Sequence, residues 1–398
     1  MAVSVQLYAQ QSKLAIIIAV PYQHLVDQWR GEAQDFGYKP ILAYQTKSRW
    51  LDTLNGQITE FKAGYRSVLC VITTHTTFIS PDFQCAVARL EGPVLLIADE
   101  AHHLGAESSR RAYPSNIAAR LALSATPDRW FDDEGTTVLR DYFGPTVFSF
   151  SLEQAIGVSL TPYYYHPHLV PLTDEELERY ALLSARIARQ AGRDEAGQSK
   201  LKMLLLQRAE LLNNAANKLP ALSSLIEAET RPGHTLFYCA PAQLESTLRL
   251  LGWDKGWLVH RFTNEESTRE RQRLLTDFAS GNLHALVAMK CLDEGVDVPD
   301  TRTAYLLASS SNPREFIQRR GRVLRRAPGK EFATIHDLIA VPPPQWTAAN
   351  DTAAFAAERS IVRKELQRFK EFAAPAQNKH QALDVIWDIA RRYGLLDF

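Results

Sequence analysis

Val94-Leu95-Leu96-Ile97-Ala98 is apolar at every position, with Gly92-Pro93 before it and Asp99-Glu100-Ala101-His102 after it. A strand that shows neither face to water must be covered on both, which is the habit of parallel sheets wrapped in helices. Residues 14–20 (LAIIIAV), 68–73 (VLCVIT) and 119–123 (ARLAL) have the same strand character, and helical spacing lies between them, as at Leu25, Val26 and Trp29. Residues 1–150 therefore read as one α/β domain with helices on both faces of a parallel sheet. Its two acids stand at the carboxyl end of a strand, where open sheets of this kind place ligands. Adjacent carboxylates there can hold a hydrated Mg²⁺ and orient a water against a phosphate. The plain alternative is a strand that ends in an acidic loop, and Asp99-Glu100 alone does not decide between them.

The rest of the chain must decide. Its 398 residues exceed one ordinary core, so two domains with appendages are expected. The longest aliphatic run, residues 14–20, is too short to span a bilayer, so no membrane is expected as a partner. No basic segment followed by a cleavable apolar stretch opens the chain. Cys70, Cys85, Cys239 and Cys291 are scattered without metal-ligand spacing, which fits reduced thiols in a cytoplasmic protein. Formal net charge is zero, so any nucleic-acid argument rests on local charge.

Residues 151–230 read as a helical linker or insertion. Thr173 and Glu176 form a capping box, a polar stretch breaks the pattern at 191–200, and Leu201, Leu204, Leu205, Leu211 and Leu212 make a second stripe. Helices belonging to a neighbouring domain are the alternative. The α/β pattern returns over 231–345, with candidate strands at 235–239, 257–260, 285–289, 303–308 and 332–337. Residues 346–398 read as a helical tail of two helices divided at Pro375.

Two further constellations stand in the second α/β region. From Arg314 to Lys330 there are seven basic residues against one acid, and Gln318, Arg322 and Arg325 fall on one face of a helix that Asn312-Pro313 would start. Arginine's planar fork suits phosphate oxygens, although a solvated basic face would look the same. Leu292 to Pro299 follows a strand and carries Gly295 and Asp297, where glycine permits close backbone approach and the acid can meet a hydroxyl or water. An ordinary strand-to-turn segment would read alike.

In this order the pieces resemble the superfamily 2 DEAD/DEAH-box helicases and translocases, in the DEAH-containing branch of DNA repair and restriction enzymes. Asp99-Glu100-Ala101-His102 matches motif II and Ser124-Ala125-Thr126 matches motif III. Pro21, Leu25, Gln28 and Trp29 resemble motif Ia, and Val71-Ile72-Thr73-Thr74 the nucleic-acid-contacting segment after it. Phe237-Tyr238-Cys239 resembles motif IV, residues 294–299 motif V and residues 318–325 motif VI. The resemblance covers about residues 14–340. It implies an α/β fold of two RecA-like parallel-sheet domains with ATP in the cleft between them, joined by the helical linker and followed by the helical tail.

It also implies roles. Asp99 would hold Mg²⁺ through water, and Glu100 would position or deprotonate the attacking water. Arg322 and Arg325 would stabilise charge on the transferred phosphoryl group, with Gln318 orienting the same site. His102, Ser124, Ala125 and Thr126 would couple nucleotide state to domain position. Gly295 and Asp297 would sense nucleotide and nucleic acid together, while Pro21, Gln28, Thr73 and Thr74 would contact nucleic acid, with DNA favoured by the branch. Phosphate contacts predict weak sequence preference and salt-sensitive binding. Partner subunits of a repair or defence system fit the same branch.

The sequence departs from the family at one place. No G-x-x-x-x-G-K-[ST] run occurs, and Gly329-Lys330 is followed by Glu331. That run would cradle the β- and γ-phosphates. A chain truncated ahead of Met1 and a naturally P-loop-less protein both remain open. The first gives an ATP-dependent helicase or translocase whose 398-residue form hydrolyses ATP poorly. The second gives a catalytically inactive nucleic-acid-binding or scaffold subunit.

Overall fold

The computed structural model describes residues 1–110, 112–125, 132–189, 195–227, 233–263, 265–289, 298, 300–308, 321, 323–341 and 353–395. The chain forms two compact units, Met1–Ser149 and Phe150–Phe398.

The first unit is built on five parallel strands: β1 (Leu14–Val20), β2 (Ile41–Ala43), β3 (Val68–Thr74), β4 (Val94–Ala98) and β5 (Ala119–Ala122). They lie in the order β2-β3-β1-β4-β5. Every residue of β1 and β4 is buried, as strands apolar at every position require. One face of the sheet packs Ile17, Val71 and Leu96 with Trp50, Ile58 and Phe61, and the other packs Ile16, Ile18 and Ile97 with Val26 and Ala33. Because β1 lies between β3 and β4, the segments that leave these three strands emerge side by side at one edge of the sheet.

Among its described residues the second unit carries six parallel strands: β6 (Tyr163–Pro171), β7 (Thr235–Tyr238), β8 (Val259–Phe262), β9 (Ala285–Ala288), β10 (Thr303–Leu306) and β11 (Ala333–Val341). Their order is β6-β11-β10-β7-β9-β8. The sequence reading placed residues 163–171 in a helical linker, and the structure corrects this. They form the edge strand β6, paired along its length with β11. Pro167 and Pro171 obscured the strand, yet an edge is where a sheet tolerates proline. The helices Asp174–Ala188 and Lys218–Glu227 pack with this unit, through Leu177 and Tyr180 and through Leu222 and Ile226 respectively. The Thr173–Glu176 capping box is present, with Thr173 Oγ1 accepting from the Glu176 amide.

The two tail helices, Ala353–Ala373 and Lys379–Arg392, close the β6 edge. The Tyr165 ring stacks on Phe372 at 5.0 Å, and Tyr163 donates its hydroxyl to the Phe372 carbonyl at 2.7 Å. The Asn378 side chain takes the Tyr165 amide at 2.8 Å and donates to its carbonyl at 2.9 Å. An edge satisfied in this way is no longer a template for another strand.

Candidate functional site

At the carboxyl edge of the first sheet, Asp99 leaves β4 with its amide donating to the Ala19 carbonyl at 2.9 Å. Both oxygens of its carboxylate have donors. Trp29 Nε1 donates to Oδ2 at 2.8 Å, and the Glu100 amide donates to Oδ1 at 3.0 Å. Burial raises the proton affinity of Asp99, the Trp29 bond opposes that, and the neighbouring Glu100 charge adds to it. Glu100 has φ 45°, a left-handed conformation unfavourable for a residue with a Cβ. The Asp99 side chain holding the Glu100 amide is the local device that keeps it there.

Glu100 Oε2 lies 3.3 Å from His102 Nδ1, and the same nitrogen lies 3.3 Å from Ser124 Oγ. The segment after β5 is pinned to this turn by backbone bonds, Leu123 to the Ala98 carbonyl at 2.8 Å and Ala101 to the Leu123 carbonyl at 3.0 Å. The acid pair, His102 and Ser124 thus form one connected group. Ala125 follows at the exposed surface, and Thr126 lies outside the described residues.

Histidine and tyrosine rings surround the acids. His103 is exposed, with its ring 4.2 Å from that of His102, 6.1 Å from His75 and 6.0 Å from Tyr22. His75, the first residue after β3, is buried. Burial pushes its pKa down to about 3, with His103 adding to the effect, while the Ala19 and Asp99 carbonyls pull the other way. Sequence reasoning passed over His75 and missed the Trp29 bond. The available signal for His75 was positional: it follows β3 as Asp99 follows β4, and both strands flank β1.

Of the four residues assigned to nucleic acid, Gln28 is exposed on the helix Gln23–Asp35 and Pro21 is half-buried. Thr73 is fully buried and donates its hydroxyl to the Ala43 carbonyl at 2.8 Å. Thr74 is buried too, and its hydroxyl caps the short helix His75–Phe78. Both hydroxyls serve the fold.

In the second unit, Gln318, Arg322, Gly295 and Asp297 lie outside the described residues. Arg325 does not ride a helix face as its spacing suggested. The helix has ended by Leu324, and Arg325 forms an antiparallel bridge with Leu160. The bridge is fastened on two sides. Thr161 donates its amide to the Leu324 carbonyl at 2.6 Å and its hydroxyl to the Arg325 carbonyl at 3.3 Å. Lys330 Nζ, buried, donates to the carbonyls of Val323 at 2.6 Å and Arg325 at 2.9 Å. Burial pushes the Lys330 pKa down to about 8. With its backbone held, Arg325 presents an exposed side chain. Lys330→Met keeps the stem and removes the donor, so it is expected to destabilise this turn by about 1–3 kcal/mol. Hydrogen exchange at Val323 to Arg326 should quicken more than at β7 or β10; unchanged exchange there would remove Lys330 from this role.

Residues 1–129 match the family model for the Type III restriction enzyme res subunit, and residues 217–327 match the Helicase conserved C-terminal domain. On both domains the chain is similar to helicases and translocases. Among its relatives is the DNA 3'-5' translocase XPB2 of Sulfurisphaera tokodaii, 29% identical over 337 residues, covering 79% of this chain and 70% of that protein. A second is a Haloarcula marismortui protein named as a DNA 3'-5' helicase, Rad25, 26% identical over 322 residues. That match covers 78% of this chain and 44% of the relative, so the chain spans less than half of that protein. The solved structure of the ATP-dependent Type ISP restriction-modification enzyme LlaBIII bound to DNA aligns with 93% of this chain and 27% of its own at TM-score 0.56 and 15% identity. That likeness shows the fold, two RecA-like domains.

The donor set suits Mg²⁺ better than a softer ion. Among the described residues no three His, Cys, Asp or Glu side chains converge on a common metal position. Asp99 offers a hard carboxylate whose burial makes a nearby cation favourable, as expected of an ion that keeps most of its waters. No helix among the described residues is long and apolar enough to cross a membrane.

Proposed function

We propose that this protein is an ATP-dependent DNA translocase or helicase of the 3'-5' type named for its relatives. The observation that carries the reading is the connected group Asp99, Glu100, His102 and Ser124 at the carboxyl edge of the first sheet. One acid is suited to a hydrated Mg²⁺, and its neighbour is suited to a water. Mg²⁺, when bound, would neutralise charge on the transferred phosphoryl group. Glu100 would accept the proton of the attacking water or orient it, and Asp99 would hold the metal through water. His102 and Ser124 would register the change in charge at Glu100. Arg322 and Arg325 would bring positive charge to a transferred phosphoryl group, Gln318 would orient it, and Gly295 and Asp297 would sense nucleotide and nucleic acid together. On the nucleic-acid side, Pro21 and the exposed Gln28 are the retained contacts. Buried thiols at Cys70 and Cys239 fit work in the reducing cytoplasm, alone or with partner subunits of a repair or defence system.

The test is ATP hydrolysis by the natural protein with and without duplex DNA. Stimulation by DNA, with affinity that falls as salt rises, is the expected result. DNA binding without hydrolysis would replace this reading by the inactive binding subunit, and affinity independent of salt would remove the phosphate-contact argument.

A further inference from the structure

The Trp29–Asp99 bond joins two parts of the chain that family resemblance treats separately. Trp29 sits on the helix Gln23–Asp35, which follows β1, and Asp99 follows β4. The indole ring is half-buried against the apolar face that includes Leu7, Tyr8 and Leu25, while Gln28, one residue earlier, is exposed on the same helix. One helix therefore offers a polar side chain to solvent and an N–H donor to the acid suited to Mg²⁺. From Asp99 a run of close contacts continues. Oδ1 holds the Glu100 amide, Glu100 Oε2 meets His102 Nδ1, and that nitrogen meets Ser124 Oγ.

We propose that Trp29 is a positioning residue that couples DNA contact on the helix Gln23–Asp35 to the orientation of Asp99 and Glu100. This rests on the proposed function and adds to it a route by which nucleic acid regulates the acids. The physical basis is the geometry of one bond. An indole N–H has a single direction, and at 2.8 Å it fixes the Asp99 carboxylate plane. A small rotation or slide of the helix lengthens or bends that bond, and the carboxylate must follow or lose it. The Glu100 amide is held by the same carboxylate, so its left-handed turn is affected together with the oxygens that would hold Mg²⁺. Partners outside a site that orient its ligands commonly alter affinity or activity by about 10–100-fold when removed.

The experiment uses the natural protein labelled with 5-fluorotryptophan. Its seven tryptophans give resolvable ¹⁹F resonances, and the Trp29 signal is the one missing from Trp29→Phe. The Trp29 resonance is expected to shift when duplex DNA is added without nucleotide, and also in Asp99→Asn without DNA. In kinetics, Trp29→Phe keeps the ring and loses the N–H. Its DNA-stimulated kcat is expected to fall about 10–100-fold, while the DNA concentration for half-stimulation moves less than about threefold. A Trp29 resonance indifferent to both DNA and Asp99→Asn would overturn the coupling even if Trp29→Phe folded poorly. So would wild-type stimulation in a folded Trp29→Phe. A wild-type protein whose hydrolysis DNA does not stimulate would overturn the proposed function and the coupling with it. Stimulated wild type with indifferent Trp29 overturns the coupling alone.

Discussion

Glu100→Gln is expected to lower DNA-stimulated ATP hydrolysis about 10²–10⁴-fold, the usual worth of a positioned acid or base. The substitution is nearly isosteric and retains an oxygen to face His102 Nδ1, 3.3 Å from the native carboxylate. Backbone geometry should survive, because the left-handed turn at Glu100 depends on its own amide donating to Asp99 Oδ1. What is lost is the charge that attracts the proton of the attacking water. DNA binding should persist, since Gln28 and the helix that carries it are untouched. Asp99→Asn makes a useful contrast. An amide cannot accept at both positions as the carboxylate does, so one of the bonds from Trp29 Nε1 and the Glu100 amide must weaken. That variant should therefore raise the Mg²⁺ requirement as well as lower turnover. Steady-state hydrolysis measured across Mg²⁺ concentrations separates the two. Equal, wild-type turnover in Glu100→Gln would move the water-activating role to another residue.

The acids could be read from the sequence because their setting is local. β1 and β4 are apolar at every position, and their observed bounds are the ones that the pattern predicts, Leu14–Val20 and Val94–Ala98. A carboxylate pair directly after such a strand needs no tertiary information. β6 could not be read in the same way. Its Tyr-Tyr-Tyr-His-Pro-His run mixes both faces of an edge strand, and its half-buried histidines are accommodated by a ring stack that exists only after pairing. His336 lies 5.2 Å from both His166 and His168, and Tyr305 lies 4.6 Å beyond it. β2 is only three residues long, too short for a pattern to form. Thr73 shows the opposite failure. A family position suggested an outward contact, but it lies within a strand buried on both faces, and its hydroxyl had to find a partner inside. Trp29 reads as one more apolar residue on a helical stripe. Its N–H becomes functional only through the order β3-β1-β4, which sets the helix after β1 beside the residue after β4.

Lowering the pH from 7 to 5 is expected to cost each unit about 2 kcal/mol through one buried histidine, His75 in the first and His336 in the second. Burial pushes both pKa values down to about 3, helped by His103 at His75 and by His168 and His166 at His336. The unfolded chain titrates near the ordinary histidine value of about 6.5. Between these limits the unfolded state binds a proton that the folded state refuses, so stability is full above the unfolded value and falls as the pH drops towards the folded one. Asp99 works in the opposite direction, because its raised proton affinity lets the folded state take a proton first. Glu266, shifted down from 4.5, starts to lose stability only below this window. At His336 the decisive variant is His336→Phe, which continues the ring stack through Tyr305 and Phe237 without a titratable nitrogen. It removes the bond between His168 Nε2 and His336 Nδ1, 3.0 Å in the native protein, so some loss at pH 7 is expected. The informative quantity is the difference between the two pH values, obtained from urea unfolding followed by tryptophan fluorescence, with the two units treated as separate transitions. The second transition should lose about 2 kcal/mol less on acidification in His336→Phe than in wild type, with the first transition unchanged. Equal acid sensitivity in the two proteins would mean that the folded state accepts a proton on His336 in place, with the stack open enough to hydrate it.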